Sequence, residues 1–150
     1  MRGNEKTLVN NILEIHVTNL QTRFKISSSS IISTVKHILK YNKVSNARLN
    51  FVFVTGRKMR VLNSRYKDHH YTTDVLAFDL RSEKEKGLRG EIIISTDEAF
   101  KNARIYKTSV EHELNLYMAH GILHLLGYDD HGFQDIKKIR DMEQKIIESL

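Results

Sequence analysis

The chain has no cysteine among its 150 residues. Disulfides and thiolate metal ligands are therefore excluded, and any bound metal must be held by histidine, aspartate or glutamate. A cysteine-free chain suits a reducing cytosol. Proline is absent too, so turns must be made by Gly, Asn, Asp and Ser. No apolar run approaches the roughly 20 residues of a membrane span. The opening segment Met1–Lys6 leads into no signal-type apolar core. These absences point to a cytoplasmic protein, a single domain over residues 1–150 that is large enough to bury a core.

What is present is basic. Twenty-four Lys and Arg against 18 Asp and Glu give a formal charge of +6. Such a surface favours polyanions, but the charge alone does not separate nucleic-acid binders from other proteins.

Periodicity supplies the elements. Val9–Val17 reads as a strand or a helix. Ser27–Ser30 reads as a loop and cap, followed by Ile31, Ile32, Val35, Ile38 and Leu39 at helical spacing. Leu49, Phe51 and Phe53 alternate as a strand, and Thr55–Gly56 starts a short helix with Met59, Leu62 and Tyr66 on its buried stripe. Asp68–Thr73 is a polar loop, Val75–Phe78 a strand, Ser82–Gly87 a charged turn, and Glu91–Ser95 a strand covered on both faces. Asp97 is expected to cap a helix carrying Ala99, Phe100 and Ala103. Thr108–Glu111 has the form of a capping box opening a long helix that ends at Gly127. Ile136, Ile139, Met142, Glu143, Ile146, Ile147 and Leu150 mark a last amphipathic helix. The sum is an α+β fold, one small mixed sheet packed with helices.

The long helix carries the chemistry. His120 and His124 are four residues apart in the apolar segment Leu116–Leu126, which puts both imidazoles on one face, one turn apart. Paired histidines at this spacing are common on buried helices. Here Gly127 fits the left-handed residue that closes a helix, and Asp129, Asp130 and His131 follow where the chain folds back. Two imidazoles and one loop donor make a tetrahedral zinc site with a position left for water. In zinc peptidases a glutamate follows the first histidine as general base; here that residue is Gly121.

The string from His120 to His131 resembles the signature H-G-x-L-H-L-x-G-Y-D-H of the YbeY family, bacterial metal-dependent endoribonucleases that act in ribosomal RNA maturation. His120, Gly121, Leu123, His124, Leu125, Gly127, Tyr128 and Asp129 stand in register with it. Leu62–Asn63 with Tyr66, Thr73–Phe78 and Leu88–Ser95 resemble further family segments in the same order. The resemblance extends from about Ala47 to the C-terminus. It implies a small sheet with the metal-binding helix near its centre, one Zn2+ ion, ribosomal RNA and ribosomal subunits as partners rather than DNA, and processing at the 3′ end of 16S RNA.

Two positions depart from the family pattern. The family's third histidine falls ten residues after the first, where this chain has Asp130, with His131 one residue later. Either Asp130 binds through a carboxylate oxygen, or the loop carries one extra residue and His131 binds; both are sound zinc donors. The family's active-site arginine, one residue after the tyrosine, is Lys67 here. Lysine keeps the charge for a catalytic contact with phosphate but loses the planar fork. His69 and His70 in the same loop are of a type able to exchange protons near neutral pH.

Three functions fit these residues: an endoribonuclease, a metal hydrolase of another bond such as a peptidase, or a ribosome-associated module with a structural metal. Gly121 counts against the second, and the basic surface favours RNA.

Overall fold

In a computed structural model, which describes residues 11–66, 74–129 and 131–150, the element order is β1 (Leu13–Asn19), α1 (Ser28–Tyr41), β2 (Ala47–Val54), α2 (Gly56–Tyr66), β3 (Val75–Asp79), β4 (Leu88–Ser95), α3 (Thr96–Tyr106), α4 (Val110–Leu125) and α5 (Phe133–Ser149). The strands form one mixed sheet in the order β1-β2-β4-β3. β1 runs parallel to β2 from Leu13 opposite Ala47, and β2 runs parallel to β4. β3 turns back antiparallel on β4, with Val75 opposite Ile94 and Asp79 opposite Gly90. This is the α+β arrangement expected from the sequence. None of the described helices is long and apolar enough to cross a membrane.

Side chains alternate across the sheet, so β2, β3 and β4 each feed two cores. One face carries Leu49, Phe51, Phe53, Ile92 and Ile94, packed with Ile31, Val35, Ile38 and Leu39 of α1 and with the apolar residues of α4 and α5. The other carries Val52, Val54, Leu76 and Ile93 under Met59 of α2. Helix α4 touches α1, α3, α5, β3 and β4. It buries Leu114, Tyr117, Met118, Ala119, Ile122, Leu123 and Leu125, side chains that spread around the helix. A helix surrounded in this way has no polar stripe to speak of, which is why its sequence reads as continuously apolar.

Local chemistry sets the ends of the elements. Ser27 caps α1 by accepting from the Ser30 amide. Of the ambiguous segment Val9–Val17, Val9 and Asn10 lie outside the described residues, and Leu13–Val17 falls in β1 because its backbone pairs along β2. Two capping expectations need correction. The cap of α3 is Ser95, which accepts from the Glu98 amide at 3.2 Å; Asp97 lies inside the first turn and accepts from the Gly56 amide at 2.6 Å, tying α3 to α2. The cap of α4 is Ser109, accepting from the His112 amide at 3.0 Å. Thr108 instead donates to the buried carboxylate of Glu113 at 2.7 Å. In both cases the neighbouring serine is the residue whose extended backbone and short hydroxyl reach the third amide.

Candidate metal centre

The histidines sit on the last turns of α4, and their position follows from how close that helix lies to the sheet. A Cβ on Gly121 would meet Ile92 Cγ2 at 2.7 Å, and one on Gly90 would meet the Phe78 carbonyl oxygen of β3 at 2.6 Å and Leu125 Cδ1 of α4 at 2.9 Å. Both positions need hydrogen in place of a side chain for α4 to rest on β4. The closing turn is equally defined. Gly127 has φ +99°, its amide donates to His124 O, and the Tyr128 amide donates to Leu123 O, both at 3.0 Å. This double bond pattern is a Schellman motif, and Tyr128 packs against the core as its apolar partner. The helix proper stops at Leu125, two residues before the glycine expected to close it. Arg81, paired with Asp79 at 2.7 Å, donates to Leu125 O at 3.0 Å and satisfies one of the carbonyls a helix end leaves open.

His120 Nε2 and His124 Nε2 lie 3.0 Å apart, with ring centroids at 4.5 Å and planes at 73°. Two nitrogen lone pairs at this distance repel unless a proton or a cation lies between them. On the far side of the first ring, His120 Nδ1 stands 3.0 Å from Glu143 Oε1 of α5. A carboxylate oxygen accepts, so this contact favours the tautomer in which Nδ1 donates to Glu143 and Nε2 turns its lone pair toward His124. A carboxylate behind a histidine in this way is the arrangement that holds metal-binding imidazoles. The donor set thus fits zinc on chemical grounds: two nitrogens converge, and one of them is oriented by a buried acid.

Asp74, at the entry to β3, completes the surroundings. Burial raises its carboxyl pKa above the ordinary 3.8, and the electrostatic interaction with His120 offsets part of the rise. Tyr117 Oη accepts from Asn102 Nδ2 at 2.7 Å, and burial pushes its hydroxyl pKa up strongly, so it stays protonated.

Lys67, Asp130, His69 and His70 lie outside the described residues, as does the side chain of Tyr66. His131 is 81% exposed at its side chain, with Nε2 3.1 Å from Asp129 Oδ1. Among the described residues no group of three or more His, Cys, Asp or Glu side chains is gathered closely enough to hold a metal ion. The structure therefore brings together His120 and His124 and leaves His131 apart from them. His112, expected at the surface, lines the cleft beside His120 with its own side chain 41% exposed.

Sequence reasoning missed Glu143 and Asp74. A signal for Glu143 was available: it occupies a stripe position of α5 between Ile139 and Ile146, both buried. A carboxylate at an apolar position is costly unless paired.

Comparison with known proteins gives a consistent answer. The family model described as "Endoribonuclease YbeY" matches residues 16–150. A protein named Endoribonuclease YbeY from Thermodesulfovibrio yellowstonii is 34% identical, covering 92% of this chain and 98% of its own length. One of the same name from Salinibacter ruber is 30% identical over 84% and 85%. The solution structure of a Thermotoga maritima protein superposes with a TM-score of 0.59 at 26% identity, covering 89% of this chain and 87% of that one.

Proposed function

This chain belongs to the YbeY endoribonuclease family, and we propose that it is a zinc-dependent endoribonuclease that cuts single-stranded RNA in the cytoplasm. Its substrate is ribosomal RNA at the 3′ end of the 16S species, and its partners are ribosomal subunits. The observation that carries this reading is the convergence of His120 Nε2 and His124 Nε2 at 3.0 Å, with Glu143 behind the first ring. His120 and His124 would hold a zinc ion, which would supply Lewis acidity toward a phosphoryl oxygen and a water acidic enough to ionise near neutral pH. Glu143 keeps the proton on Nδ1 of His120 and fixes the ring. Lys67 neutralises phosphate charge.

The third donor comes from the loop after Gly127. His131 is the favoured ligand, because an imidazole matches the other two donors and loops tolerate an added residue cheaply. It would exchange its contact with Asp129 for the ion. Asp130 is the alternative. Metal titration of two variants separates them: loss of affinity in His131→Ala alone assigns the histidine, and loss in Asp130→Ala alone assigns the aspartate. A peptidase reading is disfavoured by the same close packing that positions α4. At Gly121 even a Cβ would run into Ile92, so a glutamate base does not fit there.

The deciding experiment is cleavage of a single-stranded RNA carrying the 16S 3′ end. Cleavage is expected with zinc, lost with a chelator and recovered when zinc is restored. Cleavage at full rate in chelator would refute the metal-dependent reading. Lys67→Ala is expected to reduce cleavage without lowering the melting temperature.

A further inference from the structure

A polar cleft of about 590 Å³ opens beside His120 between α3, α4 and α5. Its volume is in the range of small-molecule sites. His120 and Glu143 are among its lining residues, so whatever fills the cleft lies beside the first of the two histidines. Two features of the rim are unusual. Tyr106, the last residue of α3, is 67% exposed although it is a large aromatic, and the left-handed Lys107 directly after it ends the helix there. Arg140 of α5 faces the same cleft as an exposed cation, and no ion pair among the described residues involves it. Between them Asn102 commits its amide nitrogen to Tyr117 Oη at 2.7 Å, which leaves the amide oxygen as its acceptor. Three acids share the lining: Glu113 accepts from Thr108, Glu143 faces His120, and the Asp74 carboxyl, its pKa raised by burial, accepts from the backbone at Asp74 and Val75.

An exposed aromatic face, a free-standing cation and an amide are what single-stranded RNA recognition uses: a base stacks, a phosphate meets the cation, and a base edge meets the amide. We propose that this cleft is a nucleotide subsite, in which Tyr106 stacks one nucleobase of the substrate strand and Arg140 holds its phosphate on the His120 side of the candidate metal centre. The assignment rests on the endoribonuclease reading for its substrate class, and binding can be measured without cleavage.

The probe is 2-aminopurine riboside 3′-phosphate, a fluorescent mononucleotide with no phosphodiester to cut, titrated into the full chain. Saturable binding with quenched fluorescence is expected. Tyr106→Ala is expected to remove the quenching and weaken binding about ten-fold, the size of one lost base–aromatic stack, while Tyr106→Phe retains both. Arg140→Ala is expected to weaken binding and leave the quenching at saturation intact. Both residues are exposed, so the variants should melt like the parent protein. Absence of saturable binding, or equal affinity and quenching in the parent, Tyr106→Ala and Arg140→Ala proteins, would overturn the subsite. Nucleotide binding as described in a protein that cleaves no RNA would instead refute the endoribonuclease reading and leave the subsite standing.

Discussion

Glu143 shows how much one side chain can contribute without touching substrate. It is buried, and its oxygen lies 3.0 Å from His120 Nδ1. Glu143→Gln keeps the shape but replaces the ionic acceptor with an amide that can present either end. Zinc affinity is expected to fall about 10- to 100-fold, the usual loss when such a carboxylate partner is removed. Competition with a fluorescent chelator measures it, and unchanged affinity would mean that the ring needs no orienting. Asp74 gives a test with a sign in pH. Its folded pKa is raised above 3.8 by burial. Between the two values the folded state holds a proton that the unfolded chain has released. Its contribution to stability therefore falls as pH rises through that window and stays unfavourable above it. In metal-free protein, Asp74→Asn should raise the melting temperature at pH 7. The gain should shrink as the pH falls to about 4, near the unfolded carboxyl value. A gain of the same size at both pH values would show that the charge is not its source.

The elements hold the site by fitting closely rather than by many polar links. Helix α4 is pressed onto β4 at Gly121, with Ile92 Cγ2 2.7 Å from where a Cβ would be. Overpacking of this kind costs about 1–3 kcal/mol. Gly121→Ala is expected to destabilise the protein by that amount in urea titrations and to lower zinc affinity as well, because the helix that carries both histidines must shift. Full stability in this variant would show that Ile92 can move aside at no cost. At the other end of the site, the Schellman turn at Gly127 fixes where the chain leaves α4, and so where Asp129 to His131 begin.

For the molecule as a whole the relevant quantity is charge. A net +6 does not explain the fold, but it attracts RNA through phosphates. Binding to single-stranded RNA should weaken linearly in log–log terms as salt rises, by about 0.7 in slope for each phosphate contact. Lys67→Ala should reduce that slope by about one contact. A slope near zero would mean that phosphates do not lead the interaction.

The sequence by itself determined the order of elements, because helices and strands are written in local periods. Ile31, Val35, Ile38 and Leu39 repeat as α1, and Phe51 and Phe53 alternate as β2, without reference to the rest of the chain. It also determined that His120 and His124 share one face, since four residues make about one turn. Capping was legible only to within one or two residues, because Thr108 and Ser109, or Ser95 and Asp97, carry similar side chains and the backbone chooses between them. Long-range pairing was left to the tertiary structure. Leu13–Val17 became a strand only by lying along β2. Glu143 and Asp74 reached His120 only because α5 and β3 pack on the same helix. Periodicity records which face of an element is buried, but not what that face is buried against; that depends on contacts between segments far apart in the chain, and those contacts build the site.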